Sequence, residues 1–402
     1  MNNIPVNKIC SMPWVGFSND PDGKVRPCCL YKGHISENDK PMYVQQHSVD
    51  DIFKSKYMRD LRDDFRNGNQ PSACSTCWVD EKNGFKSKRL IANEIWKHHQ
   101  IDYMEEPVLP VEFQMIINNS CNLKCRSCTP SHSTQWQIEN VKINGSSGYN
   151  MPHGQAGDDD SVLWTKRHEW YASVQRLEIV GGEPFYVKQW HQIFEELIEL
   201  GYAKNIVLNL SSNCTLFFGG LVERMTQNFK SVGIGLSIDG TGSEYEYLRH
   251  PGNWDTVYAN MKKYHALMEK YPNLHVQVSY TIGWLNALDL TIMHELVRTD
   301  FPKFRIWNNI IHFPEHMAIC SASDDIKQEI MDNWDAYKWD QHYTSIIDGV
   351  KTFMNSKSIS TQQFKSYVDI LLSRDAIRNE NLYESFPKLV KFLPTQSDNS
   401  DS

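Results

Sequence analysis

The chain has 402 residues, room for more than one domain at the usual ~150 residues each. Its 49 acidic residues outweigh 41 basic ones, and the net charge of -8 argues against a nucleic-acid surface, with the basic run at 82–89 (KNGFKSKR) reading as a solvated helix face. No stretch approaches the ~20 consecutive apolar residues of a membrane span, and the opening MNNIPVNKICSMPW lacks the charged-then-apolar profile of a secretory leader, so the expected location is the cytoplasm.

The first 106 residues are rich in loops and cysteine, with turn signals at 19–23 (NDPDG) and 67–69 (NGN), and read as a small module stapled by metal. From Val111 the texture changes. Apolar or β-branched runs at 111–117, 176–180, 205–210, 232–238, 274–282 and 304–313 predict six strands. Helical spacing over 190–200, 221–229, 254–271 and 287–298 alternates with them. That alternation is the pattern of a parallel sheet wound by βαβ units, and six units are too few to close an eight-fold barrel. The segment 140–160, rich in Gly, Ser and Asp, is expected to be either a cover over a substrate or a flexible surface excursion. From Ser321 the tail is helix-compatible, and its polar end TQSDNSDS is expected to be disordered. The domains expected are thus 1–106, 107–320 and 321–402.

Ten cysteines in a cytosolic chain point to metal or redox ligands rather than disulfides. Cys121, Cys125 and Cys128 stand in the spacing C-x3-C-x2-C directly after the first predicted strand. Three thiolates on one loop hold three corners of an iron-sulfur cube and leave the fourth iron open. A structural zinc site wants a fourth protein ligand, and His132 is the one stray candidate nearby. A second set comprises Cys10, Cys28, Cys74 and Cys77, with Cys28 preferred over Cys29 for its spacing from Gly23; four thiolates there fit a fully ligated iron-sulfur cluster or structural zinc. Cys214 and Cys320 read as small buried hydrophobes. The second predicted strand ends in Gly181-Gly182-Glu183-Pro184, where glycines let a backbone approach a ligand. The third ends at Asn213, and the fourth at Ser237, twelve residues before Arg249. Arg249 is suited to a paired grip on a carboxylate, or else to a surface ion pair with Glu244 or Glu246.

The cysteine motif together with GGEP resembles the radical S-adenosylmethionine superfamily. CSMPW, DGKVRPCC, VDDIFKSKYMRDLR and CSTC resemble its SPASM and twitch auxiliary-cluster domains, here placed ahead of the core. The resemblance implies an α/β fold with a partial (β/α)6 barrel, an N-terminal auxiliary module and a helical C-terminal extension. It implies a [4Fe-4S] cluster on Cys121, Cys125 and Cys128 whose open iron holds S-adenosylmethionine, and an auxiliary iron-sulfur cluster on Cys10, Cys28, Cys74 and Cys77. Gly181, Gly182, Glu183, Pro184, Asn213, Ser237 and Arg249 become cofactor-binding residues, with Glu183 either accepting from the cofactor's amino group or bracing its loop. The implied activity is reductive cleavage of S-adenosylmethionine to a 5'-deoxyadenosyl radical that abstracts hydrogen from a peptide or protein. The alternatives are a small-molecule substrate, or a non-catalytic electron carrier or scaffold. The implied partner is a reductant such as flavodoxin or ferredoxin, with neither membrane nor nucleic acid expected.

Overall fold

The structure, a computed structural model, describes residues 8–82, 86–99 and 101–394. The polar end at 395–402, residues 83–85 of the basic run and the first seven residues lie outside this set. The fold is α/β and its sheet is mostly parallel. The chain forms two compact units, one comprising residues up to Cys121 with Pro130–Ser211 and Gly220–Gly233, the other Asn122–Thr129, Ser212–Gly219 and the chain from Ile234 onward.

The first unit carries β1 (Gly16–Asn19), β2 (Val25–Arg26), the small hairpin of β3 (Ser36–Glu37) and β4 (Lys40–Pro41), then β5 (Glu112–Met115), β6 (Arg176–Ile179) and β7 (Val207–Ser212). Their order is β2-β1-β5-β6-β7, with β1, β5, β6 and β7 parallel and β2 antiparallel to β1. Side chains alternate across a strand. Phe17, Phe113, Leu177 and Leu208 therefore share one register row on one face and are buried, while Ser18, Gln114, Glu178 and Asn209 form the next, polar row on the other. Helix Lys188–Glu199 shows the matching helical pattern, burying Trp190, Ile193, Phe194 and Leu197 at the spacing of a single stripe. Strand β1 is four residues long with a glycine at its start, too short for its pairing with β5 to show as a period.

Of the segment 140–160, the start belongs to helix Thr134–Asn144, residues 145–153 run mostly exposed, and residues 154–157 are anchored to the rest of the unit. Gly157 N donates to Ile117 O at 2.7 Å and Gln155 Nε2 to Asn119 Oδ1 at 2.7 Å. Gln45 Nε2 donates to Gly154 O at 3.0 Å, and Val162 N returns a bond to Gln45 O. Backbone and side-chain bonds together pair this stretch where no strand or helix does, as a packed loop requires.

The second unit contains most of β8 (Ser231–Ser237), whose first residues count with the first unit, then β9 (Leu274–Ile282) and β10 (Arg305–Ile310). β9 and β10 are parallel in unbroken register from Arg305 opposite Gln277 to Ile310 opposite Ile282. Every second residue of β9, from Leu274 to Ile282, is buried. The tail is helical as expected, over Asp324–Ala336, Gln341–Met354, Thr361–Arg378 and Leu382–Ser385. Among the described residues no helix is long and apolar enough to cross a membrane.

Candidate functional site

In the first unit, the cysteine motif begins six residues past the end of β5, at Cys121. The chain leaving β5 is anchored by Asn19, whose Oδ1 accepts from Ile116 N at 3.2 Å and whose Nδ2 donates to Ile116 O at 2.8 Å. The GGEP turn packs directly against residues 116–120, the approach to Cys121. Gly182 has φ +57°, and a Cβ there would lie 2.5 Å from Ser120 O and 3.0 Å from Asn118 O. Gly181, at φ +80°, is equally confined, with Ile116 Cγ2 2.7 Å from the place a Cβ would take. Only glycine admits this approach without strain. Glu183 N donates to Ser120 O at 2.9 Å, and the Glu183 carboxylate, buried, accepts from Phe185 N at 3.2 Å.

In the second unit, Cys125 and Cys128 ride on segment 122–129. Both thiols are driven up by burial, Cys128 to about 12 with Cys125 as its next cause. Arg249 is buried. Its Nη2 pairs with Asp239 Oδ2 at 2.7 Å, its Nη1 lies 3.8 Å from Cys125 Sγ, and its Nε has no hydrogen-bond partner among the described residues. Burial works against its charge, but Asp239 and Cys125 more than offset this and push its pKa up. The surface pairs envisaged with Glu244 or Glu246 do not form; Glu246 instead accepts from Trp254 N at 3.0 Å. Asp239 is thus the partner that sequence reasoning did not assign to Arg249, and its other oxygen accepts from Thr281 N at 2.8 Å. Ser237 is the last residue of β8 and half-buried. Asn213 Nδ2 donates to Asn122 Oδ1 at 2.8 Å, and Asn122 Nδ2 to Thr215 Oγ1 at 2.8 Å, so Asn213 braces the residue after Cys121. Cys214 takes φ +62° and is fully buried, with Asn260 Nδ2 on its carbonyl at 2.9 Å.

The N-terminal cysteines converge. Cys10, Cys28, Cys74 and Cys77 line one cavity with Met12, Leu30, Tyr31 and Phe65, and Lys88 and Arg89 complete its wall. Burial and mutual repulsion raise Cys10, and raise Cys28 and Cys74 to about 12. Cys29 does not line this cavity; it opens instead toward Lys88, Glu112 and Gln114. Among the described residues, no three His, Cys, Asp or Glu side chains close around a single ion. A four-iron cluster takes one thiolate per iron, and a thiolate set in an apolar wall with two cations nearby fits its chemistry and charge.

Residues 10–78 match the family model of SPASM, an iron-sulfur cluster-binding domain. The match takes in all four converging cysteines. No curated protein matches the chain. Among solved structures it is similar to native anSMEcpe with bound AdoMet, at 15% identity over 59% of this chain and 61% of that one, TM-score 0.35. It is also similar to Streptococcus suis SuiB bound to S-adenosylmethionine, at 14% identity over 75% of this chain and 56% of that one, TM-score 0.32. A third is native anSMEcpe with bound AdoMet and Kp18Cys peptide, at 15% identity, 62% and 67% coverage and TM-score 0.38. The chain spans about three-fifths of the length of the first of these.

Proposed function

We propose that this chain is a radical S-adenosylmethionine enzyme that modifies a peptide or protein, built on a partial (β/α)6 barrel with its SPASM module ahead of the core. The observation that carries this reading is the close seat of Gly182 on Asn118 and Ser120, immediately before Cys121. An electron carrier needs only its ligands. A glycine turn pressed against the approach to a three-cysteine motif is what a cofactor-binding cluster requires, because cofactor backbone contacts and cluster must share one rigid edge.

In this reading Cys121, Cys125 and Cys128 hold a [4Fe-4S] cluster, and Cys10, Cys28, Cys74 and Cys77 hold the auxiliary one. With S-adenosylmethionine bound, such a cluster would supply one electron to the sulfonium, whose carbon-sulfur bond would break to methionine and a 5'-deoxyadenosyl radical able to take hydrogen from the substrate. Gly181 and Gly182 offer backbone to the cofactor's amino group, and Glu183 and Pro184 keep that turn in place. Ser237 and Asn213 stand at strand ends, where ligands of parallel sheets gather. Arg249, kept charged by Asp239, presents its free Nε and the cationic face of its guanidinium near Cys125. A flavodoxin or ferredoxin is the inferred reductant. The test is anaerobic reconstitution with iron and sulfide, followed by dithionite and S-adenosylmethionine. Formation of 5'-deoxyadenosine, lost in the Cys121, Cys125 and Cys128 to Ala triple variant, supports the enzyme. A reconstituted protein that holds its clusters but forms none is a carrier or scaffold.

A further inference from the structure

Arg126 lies inside the cysteine motif, between Cys125 and Cys128, yet it is one of the most buried charges of the second unit. All its nitrogens are engaged. Nε donates to Tyr247 O at 3.2 Å and Nη1 to Leu371 O at 3.3 Å. Nη2 donates to both Asp375 Oδ1 and Glu380 Oε2. The guanidinium carbon sits 3.6 Å from the centre of the Tyr247 ring. The two carboxylates are themselves held: Asp375 Oδ2 accepts from Leu382 N at 2.7 Å, and Glu380 Oε1 pairs with His250 Nδ1 at 2.6 Å.

The backbone of the same segment is fixed alongside. Lys124 N donates to His250 O at 2.7 Å and Arg126 N to Leu248 O at 2.8 Å, while Cys128 N closes a turn onto Cys125 O at 3.0 Å. Segment 124–128 is thus gripped by 247–250 on one side and, through one side chain, by the C-terminal residues 371–382 on the other. A planar fork with a stacking face can serve two carboxylates, two carbonyls and an aromatic ring at once; an ammonium cannot. A charge kept for solubility alone has no reason to be desolvated at this cost.

We propose that Arg126 is a positioning residue through which the C-terminal extension holds the Cys125 and Cys128 thiols in ligating geometry. Through this side chain the extension reaches the turn that carries the two thiols. The inference rests on the assignment of Cys125 and Cys128 as cluster ligands.

The test compares wild type with R126K, R126M and R126M/D375N/E380Q. In protein freed of iron, hydrogen exchange of the amides of residues 124 and 126 reads the grip directly. Those amides should exchange about ten- to a hundredfold faster in R126M. In reconstituted protein, the spectrum and midpoint potential of the reduced cluster read the ligand geometry, with the iron held by Cys10, Cys28, Cys74 and Cys77 as internal control. The triple variant removes the buried unpaired carboxylates and so recovers thermal stability. Its loop exchange should stay fast and its cluster spectrum altered, and R126K should fall between it and wild type. If the triple variant regains stability together with wild-type exchange and spectrum, Arg126 only balances charge and the proposal is wrong. Failure of wild type to cleave S-adenosylmethionine would overturn the enzyme reading but leave these exchange and spectral comparisons standing; the reverse pattern overturns the positioning role alone.

Discussion

Alanine at Gly182 tests whether the glycine turn and the approach to Cys121 form one rigid edge. An L-residue at φ +57° costs about 1–2 kcal/mol. The added methyl meets backbone on three sides, at 2.5, 3.0 and 3.1 Å from Ser120 O, Asn118 O and Asn119 C, none of which can swing away as a side chain would. Reaching ordinary contact moves that backbone by roughly 1 Å. The movement breaks the 2.9 Å bond from Glu183 N to Ser120 O, worth about 1 kcal/mol, and adds overpacking of about 1–3 kcal/mol. The total is about 3–6 kcal/mol. Gly201→Ala is the control, since Gly201 also has positive φ, +76°, but no atom lies within 4 Å of the Cβ position, so only the conformational cost of about 1–2 kcal/mol remains. Urea unfolding of iron-free protein gives both values. After reconstitution, G182A should hold about four irons and G201A about eight. Equal destabilisation by the two substitutions, with equal iron, would refute the close seat and with it the argument that GGEP builds the cofactor edge.

Cys28→Ser should lose the auxiliary iron while Cys29→Ser keeps it, because only Cys28 lines the cavity with Cys10, Cys74 and Cys77; iron analysis of both variants decides. Arg249→Ala should cost about 3–5 kcal/mol of stability by stranding Asp239, so cofactor binding is better read from Arg249→Lys, which keeps the charge and should weaken S-adenosylmethionine binding about tenfold in equilibrium dialysis. Wild-type affinity in the lysine variant would reduce Arg249 to a fold residue. Partial burial works against the charge of Glu196, but Arg167, Tyr171 and Gln192 hold its pKa down to about 2 from an ordinary 4.5. A depressed carboxylate stabilises the fold above its unfolded pKa and loses that contribution as pH falls through the folded one. Glu196→Gln should therefore cost up to about 3 kcal/mol at pH 6, a gap that closes toward pH 2 in thermal melts.

Strands β5 to β10 were legible as apolar or β-branched runs, and in LHVQVSYTI of β9 burial on one face writes a plain period of two into the chain. The two cysteine sets were legible from spacing, and GGEP from its position at a strand end. What could not be read were the polar ties, whether ten residues or some 250 apart. Asp239 with Arg249, Arg126 with Asp375 and Glu380, and Gln45 with Gly154 have no period and no fixed offset. Arg126 even hides in plain view, since a charged residue between two ligands reads as solvent-facing until its partners, some 250 residues on, are in place. Cys29 was separable from Cys28 only by its spacing to Gly23, whereas the structure separates them by what each faces.

The parallel pairing of β1 with β5 joins Gly16, Phe17 and Ser18 to Glu112, Phe113 and Gln114. During synthesis, β1 therefore leaves the ribosome well before its sheet partner exists. Closing so long a loop adds little to the equilibrium cost, because that cost grows only with the logarithm of length, but it delays the event in time. Through that interval β1 is an open edge, able to pair with any neighbouring strand. The surrounding residues 10–78 are the nearest shield in sequence, and four thiols around one cavity, two of them buried, favour folding once a metal draws off their protons. Under the proposed reading, in which Cys10, Cys28, Cys74 and Cys77 hold a cluster, metal taken up during translation would keep β1 in place as a template for β5, and expression yield should follow iron availability before any turnover is measured.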